Sequence, residues 1–354
     1  MSEEPRILEG ITERMVETPR IRTHVLFSGM ASGTPIVFIH GNFSSATFFE
    51  ETMLALPEAY RAIAPDMRGY GLTEDKLIDA TRGAADWTDD LDALFETLEL
   101  TRVHLVGWSI GGGIVMSYAI KHPEKVLSLT LIAPISPFGF GGTKGLDGTP
   151  CTDDYAGSGG GAVNRDFIKR IQEHDCTDID PNSPRNVINA VYYKPPFRAA
   201  REEDFLTAAL LEKTGNDKYP GDALVSSNWP FVAPGQWGPM NATSPKYFNT
   251  SDIVDVHPKP PILWVRGKDD LVVSDTSMLD LGMLGRLGYV PGYPGEDVFP
   301  PQPMVSQMRA VLEEYRKNGG KYSEVTFADC GHSPHIEKAA DFRKEFLEFL
   351  ESKA

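Results

Sequence analysis

Short apolar runs bounded by turn residues alternate along this chain with segments whose apolar positions recur every three or four residues. The runs predict strands at Ile21–Phe27, Ile36–Ile39, Ala62–Ala64, Val103–Val106, Leu127–Ile132, Ile262–Val265 and Glu324–Phe327. The periodic segments predict helices at Ala46–Leu56, Ala84–Leu98, Ile110–Lys121, Met304–Lys317 and Ala339–Glu351. In the second of these, Trp87, Leu91, Leu94, Phe95 and Leu98 fall on one face, as a helix buried on one side requires. Ile36-Val37-Phe38-Ile39 is apolar at every position, which suits a strand covered on both faces. Such alternation predicts an α/β protein with a mostly parallel sheet and helices on both of its faces.

The pattern stops after Pro134 and resumes at Pro261. The chain between is rich in Gly, Pro, Asn and aromatic residues. Helical periodicity returns only around Arg165–His174, Asn186–Val191 and Ala199–Lys213. We expect a core from residues 1–136 and 250–354, and a mainly helical cap inserted at 137–249. Its aromatic set (Tyr192, Tyr193, Trp229, Phe231, Trp237, Phe248) with Met240 is either a small core of the cap or the roof of an apolar pocket. A second excursion, Ser274–Pro303, is long for a strand-to-helix connection, and such loops are functional or disordered.

Candidate chemistry concentrates at Gly107-Trp108-Ser109-Ile110-Gly111, directly after one strand and before one helix. A turn that sharp strains the residue at its apex, and glycines two residues either side remove the side chains that would clash. It lifts the Ser109 hydroxyl above the sheet at a helix N-terminus, where free N–H groups favour developing negative charge. A serine hydroxyl still needs a base to be nucleophilic at neutral pH, and the base needs a carboxylate to fix its tautomer. Asp269 and Asp270 follow the strand ending at Val265; His332 follows Gly331 after the strand ending at Phe327. Asp255 and Asp275 are weaker acid candidates. His335 lacks a preceding glycine and is expected to line or flank the pocket. His122 reads as closing a helix, and His24, His104 and His257 as ordinary histidines in or beside strands.

Serine, then acid, then histidine, with His40-Gly41-Asn42-Phe43 after an early strand and Asp66-Met67-Arg68-Gly69-Tyr70-Gly71 after the next, resembles the α/β-hydrolase fold superfamily, and within it serine esterases and lipases with a cap domain. The resemblance covers about Arg20 to Pro134 and Pro261 to the C-terminus. It implies an eight-stranded-type, mostly parallel sheet. By its pattern Ser109 is the nucleophile, His332 the base and Asp270 the acid, three residues after Gly267. The backbone N–H groups of Asn42 and Ile110 would hold the oxyanion. Arg68 and its glycines read as structural. Trp108 and Phe43, beside the serine and the turn, are expected to line the pocket.

Composition changes this picture little. With 34 basic and 50 acidic residues the formal charge is −16, which argues against nucleic acid or an anionic membrane as partner. The acidic start (Met1-Ser2-Glu3-Glu4-Pro5) has no apolar core of a signal peptide, and no run suits a membrane span. Three cysteines (Cys151, Cys176, Cys330) fit a reducing, cytoplasmic compartment, a Cys151–Cys176 bridge staying open. No metal-ligand spacing or phosphate-cradling loop occurs, so neither metal nor cofactor is expected. The expected function is hydrolysis of an ester, lactone or thioester of a small apolar substrate through an acyl-enzyme. The alternatives are carbon–carbon hydrolysis of the meta-cleavage product type and ligand binding without turnover; oligomeric state stays open.

Overall fold

The computed structural model describes residues 4–352; Met1–Glu3, at the acidic start, lie outside the described residues. Its centre is an eight-stranded sheet. The strands are β1 (Thr12–Glu17), β2 (Arg22–Gly29), β3 (Thr34–Ile39), β4 (Tyr60–Pro65), β5 (Val103–Trp108), β6 (Val126–Ile132), β7 (Ile262–Gly267) and β8 (Tyr322–Phe327). Their spatial order is β1-β2-β4-β3-β5-β6-β7-β8. β2 runs antiparallel to both its neighbours, and every other pairing is parallel.

Alternation along each central strand splits the core into two layers, because successive side chains leave a strand on opposite faces. Val37, Ile39, Leu105, Leu129, Leu131 and Trp264 face one side. There they meet α2 (Ala85–Thr97), α3 (Ile110–Lys121) and α9 (Met304–Lys317). Ile36, Phe38, Val106, Trp108, Ile132 and Val265 face the other. They meet α1 (Glu50–Leu54) and α11 (Ala339–Glu351), which the short α10 (Pro334–Glu337) precedes and in which Phe342, Phe346 and Leu350 form the buried stripe. The apolar face anticipated for Ala84–Leu98 is the buried face of α2, with Trp87, Leu91, Leu94 and Phe95 inside. Ala46–Leu56 is not one helix: a short 3-10 turn at Ala46–Phe49 precedes α1.

Between β6 and β7 the chain leaves the sheet. The mainly helical character expected there holds only in pieces: α4 (Arg165–Gln172), α5 (Pro184–Val187), α6 (Glu202–Ala209) and α7 (Pro239–Ala242). A π-helical turn at Ile188–Tyr192 continues α5. Three small two-stranded ribbons and irregular chain make up the rest. Buried side-chain amides hold this irregular backbone, since buried carbonyls and N–H groups need partners. Asn241 bonds Gly160 N (2.8 Å), Asp222 O (2.8 Å) and Trp237 O (2.7 Å). The Ser274–Pro303 excursion is ordered, with α8 (Leu281–Arg286) inside it. Gln302 at its end binds Gly141 N (2.6 Å) and Gly139 O (3.1 Å), tying it to the insertion. All three cysteines are free. Among the described residues no helix is long and apolar enough to cross a membrane.

Candidate active site

At the end of β5 the chain reverses within one residue. Ser109 has φ 57° and ψ −120°, a region that costs a side-chain-bearing residue energy and persists only under constraint. The constraint is visible. Ser109 N–H donates to Ile132 O (2.9 Å), and Ser109 O accepts from Gly112 N (3.0 Å) and Ile135 N (3.1 Å). A Cβ on Gly107 would lie 2.3 Å from Gly111 O, and one on Gly111 2.2 Å from Ile39 O. Only glycine lets β5, β3 and α3 approach this closely.

Past β7, Asp270 is buried, and its Oδ1 accepts from Val272 N (2.7 Å) and Val273 N (3.0 Å). Its Oδ2 lies 2.8 Å from His332 Nδ1. The chain after β8 that carries His332 is fastened by Glu337, whose carboxylate accepts from Gly331 N (2.9 Å) and from Lys194 N of the insertion (2.8 Å). Trp108 Nε1 donates to His332 O (2.9 Å), linking the serine turn to the histidine loop. No hydrogen bond joins Ser109 Oγ to the imidazole in this conformation. The other acid candidates are engaged elsewhere. Asp269 pairs with Lys194 at 3.1 Å, Asp275 accepts from Ser306 N and Oγ, and Asp255 is exposed. His104 bonds Ser128, His257 is exposed, and His122 lies 3.9 Å from Asp92.

The His40–Phe43 turn abuts the serine: a Cβ on Gly41 would lie 3.1 Å from Ser109 Cβ. Met67 N–H donates to His40 Nε2 (3.0 Å), which leaves the ring proton on Nδ1, 2.8 Å from Gly41 O. Burial lowers the His40 pKa, against the pull of Asp66, so the ring is neutral. Ser44 Oγ donates to the same Gly41 carbonyl (2.8 Å). The Gly41–Asn42 peptide is thereby held at its carbonyl end, while the Asn42 N–H has no acceptor among the described residues.

Ser109, Asn42, Phe43 and Ile110 open onto a cavity of about 390 Å³, within the range of small-molecule sites. Its walls come from the insertion (Phe167, Val191, Met240) and from the later excursion (Met278, Leu279, Leu284). None of the described residues lining it is charged. Of the expected pocket residues, Phe43 lines it; Trp108 and His335 do not. Both point to the α11 side of the sheet, where their rings meet at 5.0 Å and His335 stacks on Phe49 at 5.0 Å. Burial pushes the His335 pKa down to about 3, with His332 adding to it. Sequence reasoning missed Tyr70, Tyr219 and Glu212. Tyr70 donates to Asn42 Oδ1 (3.0 Å), and Asn42 Nδ2 donates to Tyr219 (3.3 Å). Glu212 is buried with both carboxylate oxygens unbonded, and burial raises its pKa well above the usual range. A lone acid in Leu210-Leu211-Glu212 was its one sequence signal.

A three-layer α/β/α sheet with a serine on the strained turn after its central strand is the architecture of the α/β-hydrolases. A profile of the alpha/beta hydrolase fold family matches residues 34–144, and the eight-stranded sheet with its strand–serine–helix turn has that fold. It is 38% identical over 188 residues to 2-hydroxymuconate semialdehyde hydrolase of Pseudomonas sp. (strain CF600), covering 52% of this chain and 61% of that one. It is 24% identical over 182 residues to carboxylesterase YbfK of Bacillus subtilis (strain 168), covering 51% and 58%. The chain thus spans about three fifths of the length of these relatives. Among solved structures, a putative aryl esterase from Burkholderia cenocepacia superposes with a TM-score of 0.60 at 16% identity, over 97% of this chain and 99% of that one. At that identity the likeness speaks for the fold alone.

Proposed function

We propose that the protein is a serine hydrolase cleaving a neutral carboxylic ester with an apolar acyl or alcohol part, and that the insertion caps its site. Ser109 Oγ attacks the ester carbonyl and passes its proton to His332 Nε2, a bond that forms in the reacting complex, as such contacts tighten on substrate binding. Asp270 holds the Nδ1 proton and balances the imidazolium. The Asn42 and Ile110 N–H groups take the oxyanion, each worth about 3–4 kcal/mol in such sites. Collapse expels the alkoxide, which takes the proton from His332 and leaves as alcohol. A water then gives its proton to His332, attacks the acyl-serine, and the carboxylic acid departs as Ser109 Oγ regains the proton. No step draws on a metal or cofactor.

The uncharged lining beside Ser109 carries the choice of ester. The carbon–carbon reading has the first curated relatives behind it, a semialdehyde hydrolase and a 2-hydroxy-6-oxo-2,4-heptadienoate hydrolase. A heptadienoate bears a carboxylate, and burying that charge without a cation is costly. An ester panel of graded acyl length, run beside a dienoate, tests the reading. We expect a length optimum on esters, fluorophosphonate labelling of Ser109 in the wild type, and loss of both in Ser109→Ala. Turnover of the dienoate alone would favour carbon–carbon hydrolysis. Neither labelling nor turnover would leave a binding protein.

A further inference from the structure

The turn that would hold the oxyanion is gripped from outside the core. Phe43 sits at φ 45°, a left-handed conformation in a non-glycine residue, and such strain persists only where neighbours impose it. The neighbour is Tyr192, at the end of the π-helical turn in the insertion. Its hydroxyl donates to Asn42 O (2.6 Å) and lies 3.2 Å from Phe43 O. Two successive carbonyls fixed from one point set the planes of their peptides. The Tyr192 ring stands edge-on to Trp108 (5.3 Å) and 6.1 Å from the His332 ring, so one side chain touches the serine turn, the histidine and the oxyanion turn together. Tyr219, also from the insertion, accepts from Asn42 Nδ2, and its ring lies against Phe43. The core alone supplies only Tyr70 to the Asn42 side chain.

We propose that Tyr192 is a positioning residue for the oxyanion turn, so that the insertion does more than roof the cavity: it holds the Asn42 amide in register with Ser109. The proposal rests on the serine-hydrolase reading. Although Tyr192 lines the cavity, its hydroxyl proton is spent on the turn's carbonyls, which separates this role from substrate binding. Tyr→Phe keeps the ring and its packing and removes only the grip.

The experiment uses the full chain, with Tyr192→Phe, Tyr219→Phe and the control Tyr193→Phe, whose hydroxyl is buried with no hydrogen-bond partner. Steady-state kinetics on the best ester are paired with inhibition by a trifluoromethyl ketone, which adds Ser109 to form a tetrahedral oxyanion, and by the matching amide, which stays in the ground state. In Tyr192→Phe we expect kcat to fall about 10- to 100-fold with KM within about twofold, since small misplacements at a reacting centre cost that much. Affinity for the ketone should fall in parallel with kcat while affinity for the amide holds. Tyr219→Phe should show the same pattern more weakly, and it stands in if Tyr192→Phe does not fold. Tyr193→Phe should match the wild type. Unchanged kcat, a loss confined to KM, or an equal loss in Tyr193→Phe would overturn the proposal while leaving the hydrolase reading intact. A wild type that neither turns over esters nor binds the ketone overturns that reading, and the positioning role with it.

Discussion

His24 offers a quantitative test of the scaffold under the His40–Phe43 turn. It lies on β2 with Nδ1 2.8 Å from Asp66 Oδ2 and Nε2 2.9 Å from Glu13 Oε2. Asp66 in turn accepts from Ala46 N (2.8 Å) and Leu72 N (2.9 Å), so the imidazolium steadies the carboxylate that anchors both loops. Burial alone would lower the His24 pKa, but the hydrogen bonds and charges of Asp66 and Glu13 outweigh it and raise it from 6.5 to about 9. A histidine whose folded pKa exceeds its unfolded value binds protons more tightly when folded. Its contribution is therefore complete below pH 6.5 and drains away as pH rises through about 9. The span between the two values corresponds to about 3 kcal/mol, reduced to about 2–3 kcal/mol because Glu13 is half-exposed and solvent screens it. The measurement is denaturant unfolding of wild type and His24→Gln at about pH 6 and about pH 10. The wild-type advantage should shrink by about 2–3 kcal/mol between them. An advantage equal at both pH values, or larger at the higher one, would refute the assignment.

Other outcomes follow from single contacts. Glu212→Gln removes an acid whose raised pKa makes the folded state hold a proton that the unfolded chain releases above pH 4.5. The variant should gain Tm relative to wild type as pH is raised from about 4 to about 8; a gain independent of pH would contradict a buried neutral acid. Gly111→Ala places a Cβ 2.2 Å from Ile39 O, a backbone atom that cannot yield, and should cost about 3 kcal/mol or more in unfolding experiments. Gly113→Ala meets the rim of Phe248 at 2.7 Å and side-chain carbons of Ile135, which can shift, and should cost less. Asp270→Asn should keep the fold but lower kcat about 10³-fold or more, with the loss seen in kcat rather than KM.

What the sequence disclosed depended on whether the physics was local. Strands buried on both faces write themselves as apolar runs, and β3, β5 and β7 were legible for that reason. The sheet's first strand was not, because Thr12–Glu17 buries only Val16 and shows no period. Ser109, Asp270 and His332 could be picked out because each follows a strand, so the topology delivers them to one end of the sheet. Trp108 misled through adjacency: one residue before the serine, it still obeys strand alternation and points to the α11 side of the sheet. The insertion was the least legible part. Its order comes from single buried amides such as Asn241 and Gln302 bonding backbone far away in sequence, and no periodicity records such contacts. The tyrosine grip on Asn42 belongs to the same class, joining residues up to 177 positions apart.

The placement of β7 and β8 at one end of the sheet, last in both sequence and spatial order, bears on how the molecule comes to life on the ribosome. The strained serine turn and the His40–Phe43 turn are both synthesised by residue 135, and β3, β5 and β6 can already pair around them. Asp270 and His332 arrive only with the final two strands, and they meet only when β8 has docked on β7. On the proposed mechanism, a nascent chain therefore carries Ser109 well before the residues proposed as its base and acid. On that mechanism, a fragment ending before β8 should be inert toward esters even if it folds around an intact elbow.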